Sequence, residues 1–218
     1  MKKLLLILFL FGCENTITDS STSDTPPVGG CTDPIANNYN ANAEVDDGSC
    51  TYENIDFGVI INEINYNSSN DLNSEDWVEL HNPTNETIEI GLWDFKDSNN
   101  DNIFTLPEDT VLLPGNYLVL CKNTDSFSQI FPGVSGILGD FEFGLDGAGE
   151  LVRLFDSNGL LVDDVEYNDV TPWPTEPDGT GPTLELIHPS LDNTLGENWA
   201  ASYENGGTPG GINSVVDE

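Results

Sequence analysis

From Phe57 onward the chain reads as short β-rich runs separated by turn clusters, and no window of useful length carries a 3.6-residue apolar period. That feature restricts the fold to strands packed face to face, with helices minor at most. The runs are Val59–Tyr66, Trp77–His81, Thr87–Gly91, Trp93–Lys96, Asn102–Leu106, Thr110–Leu112, Tyr117–Cys121, Glu150–Phe155, Leu160–Tyr167 and Thr183–Ile187. Breaks fall at Asn82-Pro83, Ser98-Asn99-Asn100, Pro114-Gly115 and Ser157-Asn158-Gly159, where turn-forming residues cluster. Asn158-Gly159 between two apolar runs predicts a hairpin. Leu151, Arg153 and Phe155 alternate with Val152 and Leu154, as in a sandwich sheet with one buried face.

Charge narrows the function. The 218 residues hold 5 Lys+Arg against 39 Asp+Glu, a formal charge of −34. A surface of this sign repels nucleic acid and anionic lipid, so neither is expected as a partner. Hydrophobic residues at 37% still suffice for one folded domain plus appendages.

The N-terminus departs from this pattern. Lys2 and Lys3 precede the apolar run Leu4–Phe11, which is too short to cross a bilayer of roughly 30 Å as a helix but long enough for the core of a signal peptide over residues 1–12. The run ends in Leu10-Phe11-Gly12-Cys13, which resembles the lipobox of bacterial lipoproteins, although Phe11 is an unusual occupant. The resemblance implies that Cys13 carries the lipid, so that the membrane is a partner through this anchor alone. An exported, membrane-anchored protein of the bacterial outer membrane or cell surface is expected. Residues 13–30 then form a tether: Glu14–Gly30 is rich in Ser, Thr, Asp, Pro and Gly and reaches about 55 Å at ~3.3 Å per residue.

Cys31 and Cys50 bound a mini-module over residues 31–52 that is dense in Asn and Asp. In an exported protein such a pair predicts a disulfide, and closing this loop stabilises it by roughly 3 kcal/mol. The segment resembles a short Cys-bounded repeat of secreted bacterial proteins that brings no activity with it. Asp33, Asn37, Asn40, Asp46 and Asp47 supply oxygen atoms of the kind calcium takes, and Asp94, Asp97, Asn99 and Asp101 do so in the main domain. Asp46, Asp47, Asp97 and Asp101 are therefore the candidate calcium ligands, and calcium the one candidate cofactor. Turn chemistry accounts for the same residues, because Asp and Asn hydrogen-bond their own backbone in loops.

Enzyme classes lose their central residues. The only histidines are His81 and His188, and there is no H-E-x-x-H, C-x-x-C, G-x-S-x-G or G-x-x-x-x-G-K pattern. Glu63 and Glu79 lie inside predicted strands; they are either an acid/base pair or acceptors for backbone N–H groups that fix strand ends, and the second reading is preferred. Asp140, Asp146, Asp163 and Asp164 read as ordinary loop and strand-face residues. Cys121 closes an apolar run and reads as a small buried hydrophobe. Trp77, Trp93 and Trp199 read as core, whereas Trp173 between Pro172 and Pro174 is the candidate exposed platform for a protein or glycan ligand.

Several landmarks fall in a fixed order: Ile61-Asn62-Glu63-Ile64, Asp76–Pro83, Leu92-Trp93, Phe104–Pro107, Leu113–Leu120, Gly149–Leu154, Val162–Val165, Trp173-Pro174, Trp199, and Gly207-Thr208-Pro209-Gly210 with Asn213. Together they resemble the lamin-tail domain over residues 57–213, with residues 214–218 as a tail. The resemblance implies an all-β, immunoglobulin-like sandwich with no catalytic set. It implies a binding, adhesion or scaffold role, or alternatively an accessory subunit that positions a separately encoded exported hydrolase.

Overall fold

The computed structural model describes residues 27–32, 38–49 and 58–216. The predicted signal peptide, Cys13 and most of the tether lie outside these residues, as do Asp33, Asn37 and Cys50. The chain divides into two compact units, residues 1–54 and 55–218.

In the first unit, β1 (Gly29–Gly30) pairs in parallel with β2 (Val45–Asp46), and Cys31 bridges to Tyr39. Cys31 is buried. Asp46 Oδ1 accepts from Gly48 N and Asp47 Oδ1 from Ser49 N, both at 3.0 Å, so these two acids build the turn.

The second unit is a β-sandwich. One sheet has six strands in the order β10-β9-β4-β3-β13-β14: β3 (Ile60–Asn65), β4 (Trp77–His81), β9 (Tyr117–Cys121), β10 (Ile137–Gly139), β13 (Leu184–Leu186) and β14 (Trp199–Ala201). The facing sheet runs β12-β11-β6-β7, with β6 (Asp94–Lys96), β7 (Ile103–Thr105), β11 (Gly149–Phe155) and β12 (Leu161–Asn168). A small pair, β5 (Ile88–Glu89) with β8 (Val111–Leu112), closes one end. Between the sheets the alternate residues Ile61, Ile64, Val78, Leu80, Leu118, Leu120, Leu184 and Leu186 meet Phe95, Val152, Leu154, Val165 and Tyr167. Trp93 and Trp199 sit in this core, as the sequence predicts. The predicted hairpin joins β11 to β12, and its turn is held by the Asp156 carboxylate, which accepts from Asn158 N and Leu160 N.

One helix and the strands β10 and β14 escape the sequence pattern. Helix α1 (Thr124–Ile130) is only 7 residues long, too short for its two apolar positions to show a period; the Asn123 side chain caps it by accepting from Ser126 N. Strand β10 pairs in parallel with β9. β10 is the edge strand of the six-stranded sheet, and α1 lies over that sheet's outer face, where Trp77, Val119, Cys121 and Phe127 form a second, smaller core. That sheet is therefore covered on both faces, and this decides the fate of every polar group on its outer side.

Candidate functional site

The outer face of the six-stranded sheet carries a row of three carboxylates. The register places Glu63 of β3 opposite Glu79 of β4 on one side and opposite Glu185 of β13 on the other. A register shift between Ile61 and Glu63 leaves Asn62 as the extra residue of β3. Its Nδ2 donates to Glu79 Oε1 at 2.9 Å and to Asn213 Oδ1 at 2.7 Å. All three glutamates are 0% exposed. Like charges directly opposite one another in a sheet are destabilising, so something must offset the arrangement.

The offset is the segment Gly207–Val215, which lies across the row. Thr208 N and Thr183 Oγ1 donate to Glu63 Oε1. Gly210 N donates to Glu79 Oε2. Glu185 accepts from Thr208 Oγ1 at 2.9 Å, Ser214 Oγ at 2.8 Å and Val215 N at 3.1 Å. Asn213 fastens the segment further by donating to the carbonyls of Asn62 and Leu186, both at 2.9 Å. Gly207 is required at its place: its φ is +75°, and a Cβ there would overlap Glu63 Oε1 and Thr183 Oγ1.

One oxygen is left over. Glu63 Oε2 is buried with no hydrogen-bond partner, one of two such side-chain atoms among the described residues; the other is Tyr66 OH. Burial, and then the charges of Glu79 and Glu185, hold the Glu63 carboxyl well above the usual range. Burial, and to a lesser degree Glu185, pushes Glu79 up to about 8; burial also raises Glu185. The proton of a neutral Glu63 belongs on Oε2, since Oε1 already accepts twice. The three described cations are tied elsewhere: Lys96 to Asp94, Lys122 to Glu75 and Asp76, and Arg153 to the Asp97 carbonyl.

Chemically this row is closed. A general acid or base must come within hydrogen-bond reach of a substrate, and here the protein's own donors occupy the approach. Glu63 and Glu79 do accept backbone N–H groups, and they do so from the far end of the chain. Glu185 was not among the candidates read from sequence. The signal was present, since Asn62-Glu63-Ile64, Val78-Glu79-Leu80 and Leu184-Glu185-Leu186 each set a glutamate inside a predicted strand beside aliphatic residues.

The other predicted site residues do not converge on it. Asp97 is buried and accepts from Asn99 N at 2.7 Å and Asn102 Nδ2 at 2.6 Å, while Asp101 is exposed and offers its own N–H to Asn99. Among the described residues, no group of three or more His, Cys, Asp or Glu side chains is arranged to hold a metal ion. Trp173 requires a correction: it is only 9% exposed and packs on Trp199 at 6.1 Å, with Gly196 against its ring, so it is not an open platform. Its edge lines a depression of about 320 Å³ with Glu166, Asn168, Val170, Thr171 and Pro172.

His81 is packed, stacked on Tyr117 at 4.2 Å with Nδ1 3.1 Å from the Asn116 carbonyl, and burial lowers its pKa. His188 pairs with the neighbouring Ser190 Oγ at 2.8 Å. Cys121 is fully buried, and burial pushes its thiol up to about 12. Asp140 accepts from Thr124 N at the start of α1, and Asp146 Oδ1 from Ala148 N. Asp164 faces Arg153 across β11 and β12. Asp163 exceeds its sequence reading: it reaches across the sandwich to accept from Ile61 N at 2.6 Å and Asn193 Nδ2 at 2.8 Å, and burial pushes it up to about 6.

Paired sheets, aligned inner faces and a closed polar row define an immunoglobulin-like β-sandwich domain in which the carboxylates are structural. Residues 57–169, just over half of the chain, match the family described as the Lamin Tail Domain, and the chain belongs to that family. The family is immunoglobulin-like and non-enzymatic. Strands β13 and β14 and the covering segment lie beyond the matched residues, yet they complete the six-stranded sheet and close the row. No curated relative matches the chain.

Proposed function

We propose that this protein is an exported, lipid-anchored binding or scaffold module without catalysis of its own. The observation that carries the reading is the closed row: the strand carboxylates most suited to acid/base work are spent on holding Gly207–Val215. The family is non-enzymatic and immunoglobulin-like, which is consistent with the same reading. Export and anchoring rest on Lys2, Lys3, the apolar run Leu4–Phe11 and Gly12-Cys13. In this reading the lipid sits on Cys13 at the outer membrane or cell surface. Residues 13–30 span the gap and a Cys31–Cys50 disulfide closes the mini-module. The partner engaged is a protein or glycan outside the cell.

The test is expression of the full chain in a diderm bacterium fed an alkyne-tagged fatty acid. The wild type is expected to take up the tag and partition into detergent, and Cys13→Ala to do neither. An untagged wild type that partitions into the aqueous phase overturns the anchor.

A further inference from the structure

Five of the hydrogen bonds that hold the segment Gly207–Val215, beside those of Asn213, go to three carboxylates that share one face of the sheet, and this makes its attachment dependent on their charge. We propose that it is a latch: it lies closed while Glu63 carries a proton on Oε2, and it loosens from the sheet as the row of Glu63, Glu79 and Glu185 becomes fully ionised.

The argument is geometric. Glu63 is the middle member of the row, opposite Glu79 on one side and Glu185 on the other. With Glu63 neutral, charge on its two neighbours is separated by a whole strand; with Glu63 ionised, three negative charges stand on adjacent strands in a site of 0% exposure. Every oxygen of Glu79 and Glu185 already accepts a hydrogen bond, so those two carboxylates are satisfied as anions. Glu63 Oε2 is the one oxygen of the row to which no protein group donates, so ionisation there places charge on a buried oxygen without a donor. The least costly relief is for water to enter from the covered side, which means lifting the segment.

The groups facing Glu63 do not supply a counter-charge. From β4 comes Glu79, from β13 Glu185, and beyond Glu79 come His81 of β4, whose pKa burial lowers, and the phenol of Tyr117 on β9 stacked on it, raised by burial and by Glu79. From the latch come only Gly207, Thr208, Pro209, Gly210, Gly211, Ile212, Asn213, Ser214 and Val215, none of which titrates. The latch is also the element able to move. It follows Gly206 and the exposed Tyr203 and begins at Gly207, both glycines being at positive φ, and Ile212 within it is 70% exposed. The strands beneath it are held instead by ladders and by the inter-sheet core.

Hydrogen-exchange mass spectrometry of the full chain between pH 6 and pH 9 tests this, with protection factors corrected for the intrinsic pH dependence of exchange. The amides of Thr208, Gly210 and Val215 are expected to lose tenfold or more in protection as pH rises, while those of Val78 and Leu80 in β4 keep theirs. In Glu63→Gln, whose amide reproduces the neutral acid, the latch is expected to stay protected to pH 9. Glu185→Gln, which keeps the Thr208 contact by donating to its hydroxyl, is expected to move the loss to higher pH and serves if the first variant does not fold. Protection of the latch unchanged between pH 6 and pH 9 overturns the proposal. So does an equal loss in β4, or a loss in Glu63→Gln that matches the wild type.

Discussion

Gly207→Ala is the sharpest test of how the C-terminal segment closes the domain. Two costs arise and can be separated. The first is conformational: an alanine at φ +75° sits in the left-handed region, which costs an L-residue about 1 kcal/mol. The second is steric, since the new Cβ would occupy the space of Glu63 Oε1 and Thr183 Oγ1, and neither Gly207 nor the strand beneath can shift without parting Thr208 N from Glu63. Each hydrogen bond lost to a buried carboxylate costs about 1–3 kcal/mol, and at least the two donors to Glu63 are forfeited. The total is on the order of 3–7 kcal/mol, a large part of the 5–15 kcal/mol typical of a domain. Gly115→Ala is the control: its φ is +69° and no heavy atom lies within 4 Å of its Cβ position, so it should show the conformational cost alone. Urea unfolding followed by tryptophan fluorescence gives both values. Equal losses for the two variants would refute the reasoning, because they would mean that the segment does not press on Glu63.

Other expectations follow from the same packing. The Asp163 carboxyl is raised from 3.8 to about 6 in the folded state, so its contribution is fully present below pH 3.8 and is lost as pH rises through 6; about 3 kcal/mol disappears over that window, and Asp163→Asn should show a shallower decline in urea titrations at pH 4 and pH 7. Cys121 should resist iodoacetamide in the native protein and label only on unfolding, as read by mass spectrometry; prompt native labelling would contradict its burial. Thermal unfolding should give the same midpoint in millimolar calcium as in magnesium, because Asp46, Asp47 and Asp97 already accept from backbone or side-chain N–H groups; a calcium-specific rise of several degrees would return them to the role of ligands. Asn123→Ala should cost about 1 kcal/mol through loss of the α1 cap, measured by urea unfolding.

The predicted strands were legible because alternation and turn chemistry are local. Val59–Tyr66, Trp77–His81 and Tyr117–Cys121 each appear within a residue or so of their expected bounds. Helix α1 was not legible, since Phe127 and Ile130 cannot establish a period in 7 residues, and what makes them helical is the outer face of the sheet they cover. Trp173 was misjudged for a related reason: a Pro-flanked tryptophan looks presented until Trp199 and Gly196 are known to lie against it. The carboxylates were seen singly in Glu63 and Glu79, but nothing local joins them to Glu185, which follows more than 100 residues later.

By itself, the sequence determined the class of fold, the strong net acidity and the family, because these depend on short-range pattern and on totals. Only the tertiary structure decided what the glutamates do. A carboxylate inside a strand has the same local sequence whether it faces water, a substrate or another carboxylate. Its role is set by strand register and by which distant segment covers it, and both are fixed when the inter-sheet core forms and the C-terminal glycines fold back across the row.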